Sequence, residues 1–253
     1  MSGKWTSEKI NKWIESQKGD DSFYQTIVLN EGLIIKGRVN SIKRLKMFNL
    51  PDKLDGYSVL DIGCNSGSLC FEVKKRGAQR VVGIDIQKNR LLQAKTIAEI
   101  LDLEVDFKEL SLFKAAELGK FDIVFCIAVL TEVTDLIRGL EVVKQVANDI
   151  LYLEIATDNS CCRKISDWGF SILSNNKILQ KLFPKNYLTK KENRYYGIAK
   201  LRKINSRSKR GWSLVPNKQF IYSIMADKFS IYDLGQSERY NLFKLVRKSR
   251  AEQ

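Results

Sequence analysis

Histidine is absent from all 253 residues. That removes the commonest general base, any His-containing metal cluster and every His-based triad, so proton transfer falls to Asp, Glu, Lys, Tyr, Cys or water. No run approaches the ~20 consecutive apolar residues that cross a bilayer. The N-terminal stretch MSGKWTSEKINKWIESQK is charged throughout and has no apolar signal core. The expectation is a cytoplasmic protein without a membrane span. Cysteine is sparse, at five residues. Cys64, Cys70 and Cys126 fall in or beside expected core elements, and the adjacent pair Cys161–Cys162 suits neither a disulfide framework nor a C-x-x-C metal site, so no metal is expected. Acids are outnumbered, 29 against 43 Lys and Arg, for a net charge of +14. With 44% hydrophobic residues the chain can bury a full core, as one large domain or one domain with an embellishment.

What is present centres on the stretch from Tyr57 to Ser68 and the run Val81–Ile86. Ser58–Ile62 is short, apolar and rich in β-branched residues, as a buried parallel strand should be. Gly63 and Gly67 free the backbone for a sharp turn. Ser68–Arg76 reads as a helix that Gly77 ends, and Arg80–Asp85 as the next strand. Asp85 follows Gly67 by 18 positions, where β-loop-α-β units place a carboxylate on ribose hydroxyls.

The loop is not a dinucleotide fingerprint, because Asn65 stands where the second glycine of G-x-G-x-x-G would be. It also lacks the Lys-Ser/Thr ending of a phosphate loop. Asp61, just before the glycine, would repel a pyrophosphate and attract a cationic ligand. S-adenosylmethionine fits, having an ammonium, a sulfonium and no phosphate. A strand-turn-helix without a ligand is the bland alternative.

The run VLDIGCNSG from Val59 to Gly67, with Asp85 as second acid, resembles the first motifs of the class I S-adenosylmethionine-dependent methyltransferases. The rest of the chain alternates in the same sense. Lys88–Leu101 reads as a helix, Glu104–Leu110 as a strand, Phe121–Ile127 as a strand, Asp135–Ala147 as a helix and Ile150–Ile155 as a strand. Such alternation implies a parallel sheet with right-handed crossovers. Near the end, Asn217–Ala226 reads as a helix, followed by strands Phe229–Asp233 and Tyr240–Val246. The short interval 234–239 cannot hold a crossover helix, so those strands should be antiparallel. The expected fold is therefore α/β: a Rossmann-like, seven-stranded, mostly parallel sheet with an antiparallel last strand and helices on both faces. Residues 1–50 form an N-terminal helical and extended cap, 51–157 the cofactor-binding half, 158–211 a basic insertion or lid, and 212–253 the last helix and antiparallel strand pair. The 158–211 segment carries 14 Lys and Arg against 3 Asp and Glu, most of the excess charge.

The resemblance implies roles for particular residues. The loop of Gly63, Cys64, Asn65 and Gly67 should lie against the methionine part and ribose, and Asp61 should face the ligand ammonium. Asp85 should accept from the ribose hydroxyls, with Ile86 flanking the adenine and Ser111 and Leu112 at its edge. Cys126 should line the pocket near the sulfonium. A closer resemblance is to the subgroup of tRNA wobble-uridine methyl- and carboxymethyl-transferases and related glycan-modifying methyltransferases. It is carried by Phe23-Tyr24-Gln25-Thr26-Ile27, by Gly37-Arg38, and by Trp212 through Pro216-Asn217. It implies that Tyr24 and Arg38 close over the cofactor; the alternative is a packed tyrosine and a solvated arginine. After the fourth strand the subgroup tends to read Val-Leu-Tyr-His-Val, whereas this chain has Val129-Leu130-Thr131-Glu132-Val133. Without that histidine, Glu154 and Glu132 are the candidate bases, Glu154 first because it stands within an apolar run.

The expected reaction is transfer of a methyl group to an O or N atom of an anionic acceptor. The basic segment suits RNA, through counterion release and base stacking, or a phosphorylated or glycan small molecule. A solvated charged face is the bland alternative. A non-catalytic cofactor-binding or scaffold protein of the same fold stays open at this point, and the oligomeric state is not legible.

Overall fold

The computed structural model describes residues 5–17, 19, 22–157, 164–165, 190–191, 194–196, 199–205, 210–237 and 240–249. They group into two compact units: Met1–Ile127 with Glu141–Leu153, and Ala128–Leu140 with Glu154–Gln253.

The first unit opens with helix α1 (Ser7–Ser16), whose N-cap Thr6 accepts a hydrogen bond from the Lys9 amide. A two-residue hairpin follows, β1 (Ile27–Val28) against β2 (Ile34–Ile35). Helix α2 (Ser41–Met47) is capped by the Asn40 side chain. The α/β rhythm then starts: β3 (Ser58–Ile62), α3 (Ser68–Lys75), β4 (Arg80–Asp85), α4 (Lys88–Leu101), β5 (Asp106–Glu109) and β6 (Phe121–Ile127). Helix α5 (Leu136–Val146) runs directly into β7 (Ala147–Ile155). Five strands follow, β8 (Lys164–Ile165), β9 (Lys190–Lys191), β10 (Arg194–Tyr196), β11 (Ala199–Asn205) and β12 (Arg210–Pro216). Helix α6 (Lys218–Met225), β13 (Phe229–Ser237) and β14 (Tyr240–Arg247) complete the order.

The main sheet has seven strands in the order β13-β14-β7-β6-β3-β4-β5. Strand β3 pairs in parallel with β4 and β6, β4 in parallel with β5, and β13 antiparallel with β14. This is the expected Rossmann-like plan. Boundaries differ in ways with local causes. Strand β13 runs on to Ser237, absorbing most of the anticipated loop, because a bulge at Asp233/Gly235 with Gly235 at φ 102° lets the pairing continue. Strand β5 is shorter than expected, and β7 begins earlier, with no loop between it and α5.

Within the first unit the core forms around the sheet. Val59, Leu60, Val82, Ile84, Ile123 and Val124 are fully or almost fully buried, each contributing roughly 1.5–3 kcal/mol on transfer from water. Phe125 and Tyr152 stack with centroids 4.8 Å apart and planes 7° from parallel. Phe48, at the end of α2, meets both rings edge-on at 5.7 and 5.6 Å, which ties the N-terminal segment to the sheet. In the second unit, α6 is capped by Asn217, whose side chain accepts from the Phe220 amide, and buries Phe220, Ile221, Ile224 and Met225. The sequence expectation for Cys161–Cys162 lies outside the described residues. The strands β8–β12 within the basic stretch were not anticipated; β8, β10 and β9 form one small sheet and β11 and β12 another. Among the described residues no helix is long and apolar enough to cross a membrane, and no group of three His, Cys, Asp or Glu stands ready for a metal ion.

Candidate cofactor site

Parallel registration of Asp61 with Gly83 and of Ile62 with Ile84 brings the ends of β3 and β4 side by side. The chain leaving β3 folds back over β4: the amides of Gly63 and Cys64 both donate to the Ile84 carbonyl, at 2.7 and 3.0 Å. Gly63, Asn65 and Gly67 take positive φ values of 73°, 53° and 85°, and the Gly67 amide closes a turn on the Cys64 carbonyl at 3.0 Å. Asn tolerates that conformation; Gly67 is needed on a second ground. A Cβ there would lie 2.8 Å from the Phe71 ring and 2.9 Å from the Phe107 ring, which pack edge-to-face on each other.

Asp85 ends β4, 7% exposed. Its Oδ2 accepts from the Asn65 amide and its Oδ1 from the Gln87 amide, both at 2.9 Å. Burial raises its affinity for a proton, against the pull of the Gln87, Asn65 and Ile86 amides and the Arg90 charge. With three amides set against about four lone-pair sites, the carboxylate keeps acceptor capacity toward a ligand hydroxyl. Ile86 beside it is 53% exposed. The Leu110 amide donates to the Asp85 carbonyl, which brings the end of β5 to the same place. Ser111 follows, its hydroxyl accepting from the Phe113 amide as the cap of a 3-10 segment, and Leu112 is buried.

Asp61 is 4% exposed, and the Cys70 thiol donates to its Oδ2 at 3.5 Å. Burial pushes its carboxyl up to about 7; the Cys70 bond works against this and the charge of Asp85 adds to it. Burial also raises Cys70 well above an ordinary thiol. Cys64, favoured as thiolate by its bond with Cys70 but buried beside Asp61 and Asp85, is raised as well. Both cysteines are free thiols that stay protonated. Cys126 pairs with Ile62 in the neighbouring strand and is fully buried, so its strand position is as expected but its side chain is a core one.

Tyr24 and Arg38 are brought together. A parallel bridge joins Gln25 to Val39, and the Val39 amide donates to the Tyr24 carbonyl at 2.8 Å. A Cβ on Gly37 would fall 2.2 Å from the Gln25 carbonyl carbon, so only glycine permits this approach. The Arg38 guanidinium lies 5.8 Å from the centroid of the half-exposed Tyr24 ring. The candidate bases belong to the second unit. Glu132 is exposed, its amide donating to the Val129 carbonyl. Glu154 is fully buried in β7, its carbonyl accepting from the amide of Ala128, a residue at φ 60°.

Sequence reasoning missed several side chains that shape the loop. Gln25 Oε1 accepts from the Ser68 amide at 3.1 Å, supplying helix α3 with the cap that Gly67 cannot provide. Ser66, Arg90 and Gln93 are buried polar residues around the loop. The available signal was the position of Arg90 and Gln93 on α4, in step with the buried Ala94, Ile97 and Leu101.

The site has the chemistry that an adenosyl sulfonium compound requires: a glycine-bearing turn, a buried acid on each strand end, and no phosphate-binding cation in the loop. A family model described as a methyltransferase domain matches residues 53–240. The chain is 26% identical over 184 residues to the ubiquinone biosynthesis O-methyltransferase of Brucella anthropi, covering 72% of this chain and 70% of that protein. It is 33% identical over 96 residues to the tRNA U34 carboxymethyltransferase of Campylobacter hominis, covering 38% of this chain and about a third of that protein, 34%. Among solved structures, the N-terminal domain of EvdMO1 with S-adenosylhomocysteine bound superposes with a TM-score of 0.63 at 14% identity, covering 99% and 100% of the two chains. The magnesium protoporphyrin IX methyltransferase of Synechocystis PCC 6803 with bound S-adenosylhomocysteine gives 0.51 at 20% identity, covering 96% and 95%. At these identities the solved structures speak to the fold. With the family model spanning most of its length, the chain belongs to the methyltransferase-domain family and is an S-adenosylmethionine-dependent methyltransferase.

Proposed function

We propose that the protein moves a methyl group to an O or N atom of an anionic acceptor, RNA or a phosphorylated or glycan small molecule, with the cofactor held at the ends of β3 and β4. The observation that carries the cofactor assignment is the Asp85 carboxylate, buried at the end of β4 and anchored by the backbone amides of Asn65, Gln87 and Ile86. Asp85 takes the ribose hydroxyls, the Gly63–Gly67 turn lies along the ribose and methionine part, and Asp61 meets the ammonium directly or through water. Ile86, Ser111 and Leu112 border the adenine, and Tyr24 and Arg38 close the open side, Arg38 on the cofactor carboxylate.

S-adenosylmethionine, when bound, supplies a methyl group already activated by the sulfonium charge. The chain's own contribution is then largely positioning, worth several kcal/mol of the barrier when reacting atoms are held in line. An acceptor that starts protonated needs a base, and Glu154 is assigned that role, with Glu132 second.

The anionic acceptor is supported by the net charge of +11 over residues 158–211, from 14 Lys and Arg against 3 Asp and Glu. RNA is supported further by the likeness to the tRNA U34 carboxymethyltransferase and by the Phe23–Ile27, Gly37-Arg38 and Trp212–Asn217 segments of the wobble-uridine subgroup. The test is incubation with methyl-labelled donor and separate RNA, lipid and metabolite fractions of a cell extract. Label should enter the RNA or the anionic metabolite fraction; label confined to neutral lipid would refute the acceptor class.

A further inference from the structure

A chain of polar groups, buried at Ser66, Arg90 and Gln93, links the Asp85 loop to the N-terminal segment. At the loop end, the Asn65 amide donates to Asp85 Oδ2 and the Ser66 amide to Asn65 Oδ1, at 2.9 and 2.8 Å. The Ser66 hydroxyl, fully buried, lies 2.8 Å from Oε1 of Gln93. The same Oε1 accepts from Arg90 Nη1 at 3.2 Å. At the far end, Gln93 Nε2 donates to Gln17 Oε1 at the close of α1, at 3.1 Å, and Arg90 Nη1 donates to the Ser22 carbonyl at 2.8 Å.

The chain has a cost that apolar residues would avoid. Gln93 and Arg90 stand on the buried stripe of α4, where Leu91, Ala94 and Ile97 pack, and an apolar pair would complete that stripe without desolvating a guanidinium. Their polar groups keep these partners only while two conditions hold: the N-terminal segment is docked, and the loop keeps the turn that presents Ser66. Arg90 also favours the ionised form of Asp85. An element that depends on both ends at once transmits free energy between them, in either direction.

We infer that Gln93, with Arg90 as its second arm, is a positioning residue that couples docking of the N-terminal segment to cofactor binding at the Asp85 loop. The inference rests on the reading of that loop as the cofactor site. Ligand that orders the loop tightens the hold on Gln17 and Ser22, and release of the segment loosens the loop.

The experiment measures S-adenosylhomocysteine affinity by calorimetry and amide hydrogen exchange of α1 with and without that ligand, in the full chain. In the unsubstituted protein, ligand should slow exchange across α1. Gln93→Leu should weaken binding about ten-fold and abolish the ligand-induced slowing. Gln17→Leu, at the less buried end, should weaken binding about three-fold with the same loss of slowing, and it carries the test if Gln93→Leu does not fold. A merely structural glutamine would raise α1 exchange in the free protein and leave the ligand-induced change intact. Binding within about two-fold of the unsubstituted protein, or slowing of α1 that survives the substitutions, overturns the coupling. Asp85→Ala separates the two levels: unchanged affinity there removes the site itself, whereas lost affinity there with unaffected Gln93→Leu and Gln17→Leu removes the coupling alone.

Discussion

The amide of Asn65 donates to Oδ2 of Asp85 at 2.9 Å, joining residues 20 positions apart in the chain. The acid at the end of β4 therefore helps to set the turn after β3.

One consequence concerns Gly67. Gly67→Ala meets two obstacles, a left-handed backbone and collision with the Phe71 and Phe107 rings. It should lower unfolding free energy by roughly 2–4 kcal/mol in a denaturant titration. Gly56→Ala is the control, since Gly56 also has a positive φ, of 80°, with nothing within 4 Å of its added Cβ. It should cost only about 1–2 kcal/mol.

Asp61 makes stability and binding depend on pH in opposite ways. Its carboxyl rises from 3.8 to about 7 on folding. The folded state thus binds the proton more tightly than the unfolded chain, and the associated stability, full below pH 3.8, is lost as pH rises through about 7. Asp85, also raised, acts with the same sign. Thermal scans of the free protein should show the melting temperature falling across that window, and Asp61→Asn should flatten the slope. A cofactor ammonium favours the ionised form, so binding at about pH 6 should release protons, visible as a dependence of calorimetric heat on buffer ionisation enthalpy. Proton release that persists in Asp61→Asn would contradict the assignment.

The contact between Gln25 and Ser68 is a helix cap supplied from 43 positions away. Gln25→Ala should destabilise the protein by about 1 kcal/mol and speed amide exchange in the first turn of α3. Exchange there that stays at its original rate would show that the cap carries no energy.

If the acceptor is RNA, the basic 158–211 segment should make its binding steeply dependent on salt. The logarithm of the binding constant should fall linearly with the logarithm of salt concentration, with a slope of about −0.7 to −0.9 per phosphate contacted. Affinity that is flat with salt would exclude this segment as the polyanion contact.

Much of the α/β alternation was legible because its signals are local. The apolar run before Gly63 and the helix Lys88–Leu101 were expected where they stand, and the closing strand pair was expected as antiparallel, with β13 running four residues further than anticipated. The long-range side-chain bonds were not. Nothing near Gln25 in sequence points to Ser68, and Gln93 declares itself only as a polar residue on a buried stripe. Strands β8, β9 and β10 are only two or three residues long, too short to carry the two-residue alternation that marks a strand, whereas the alternation Ala199-Lys200-Leu201-Arg202 in β11 was a signal that went unread. The candidate bases show the same limit: the apolar run around Glu154 marked a buried carboxylate, whereas Glu132 had no comparable signal and is exposed.

The most direct test is a crystal structure of the protein with S-adenosylhomocysteine. The account predicts the two ribose hydroxyls within about 3 Å of the Asp85 carboxylate oxygens, with the turn from Gly63 to Gly67 along the sugar. Ligand bound elsewhere, or a crevice at the ends of β3 and β4 that stays empty at saturating ligand, would contradict it.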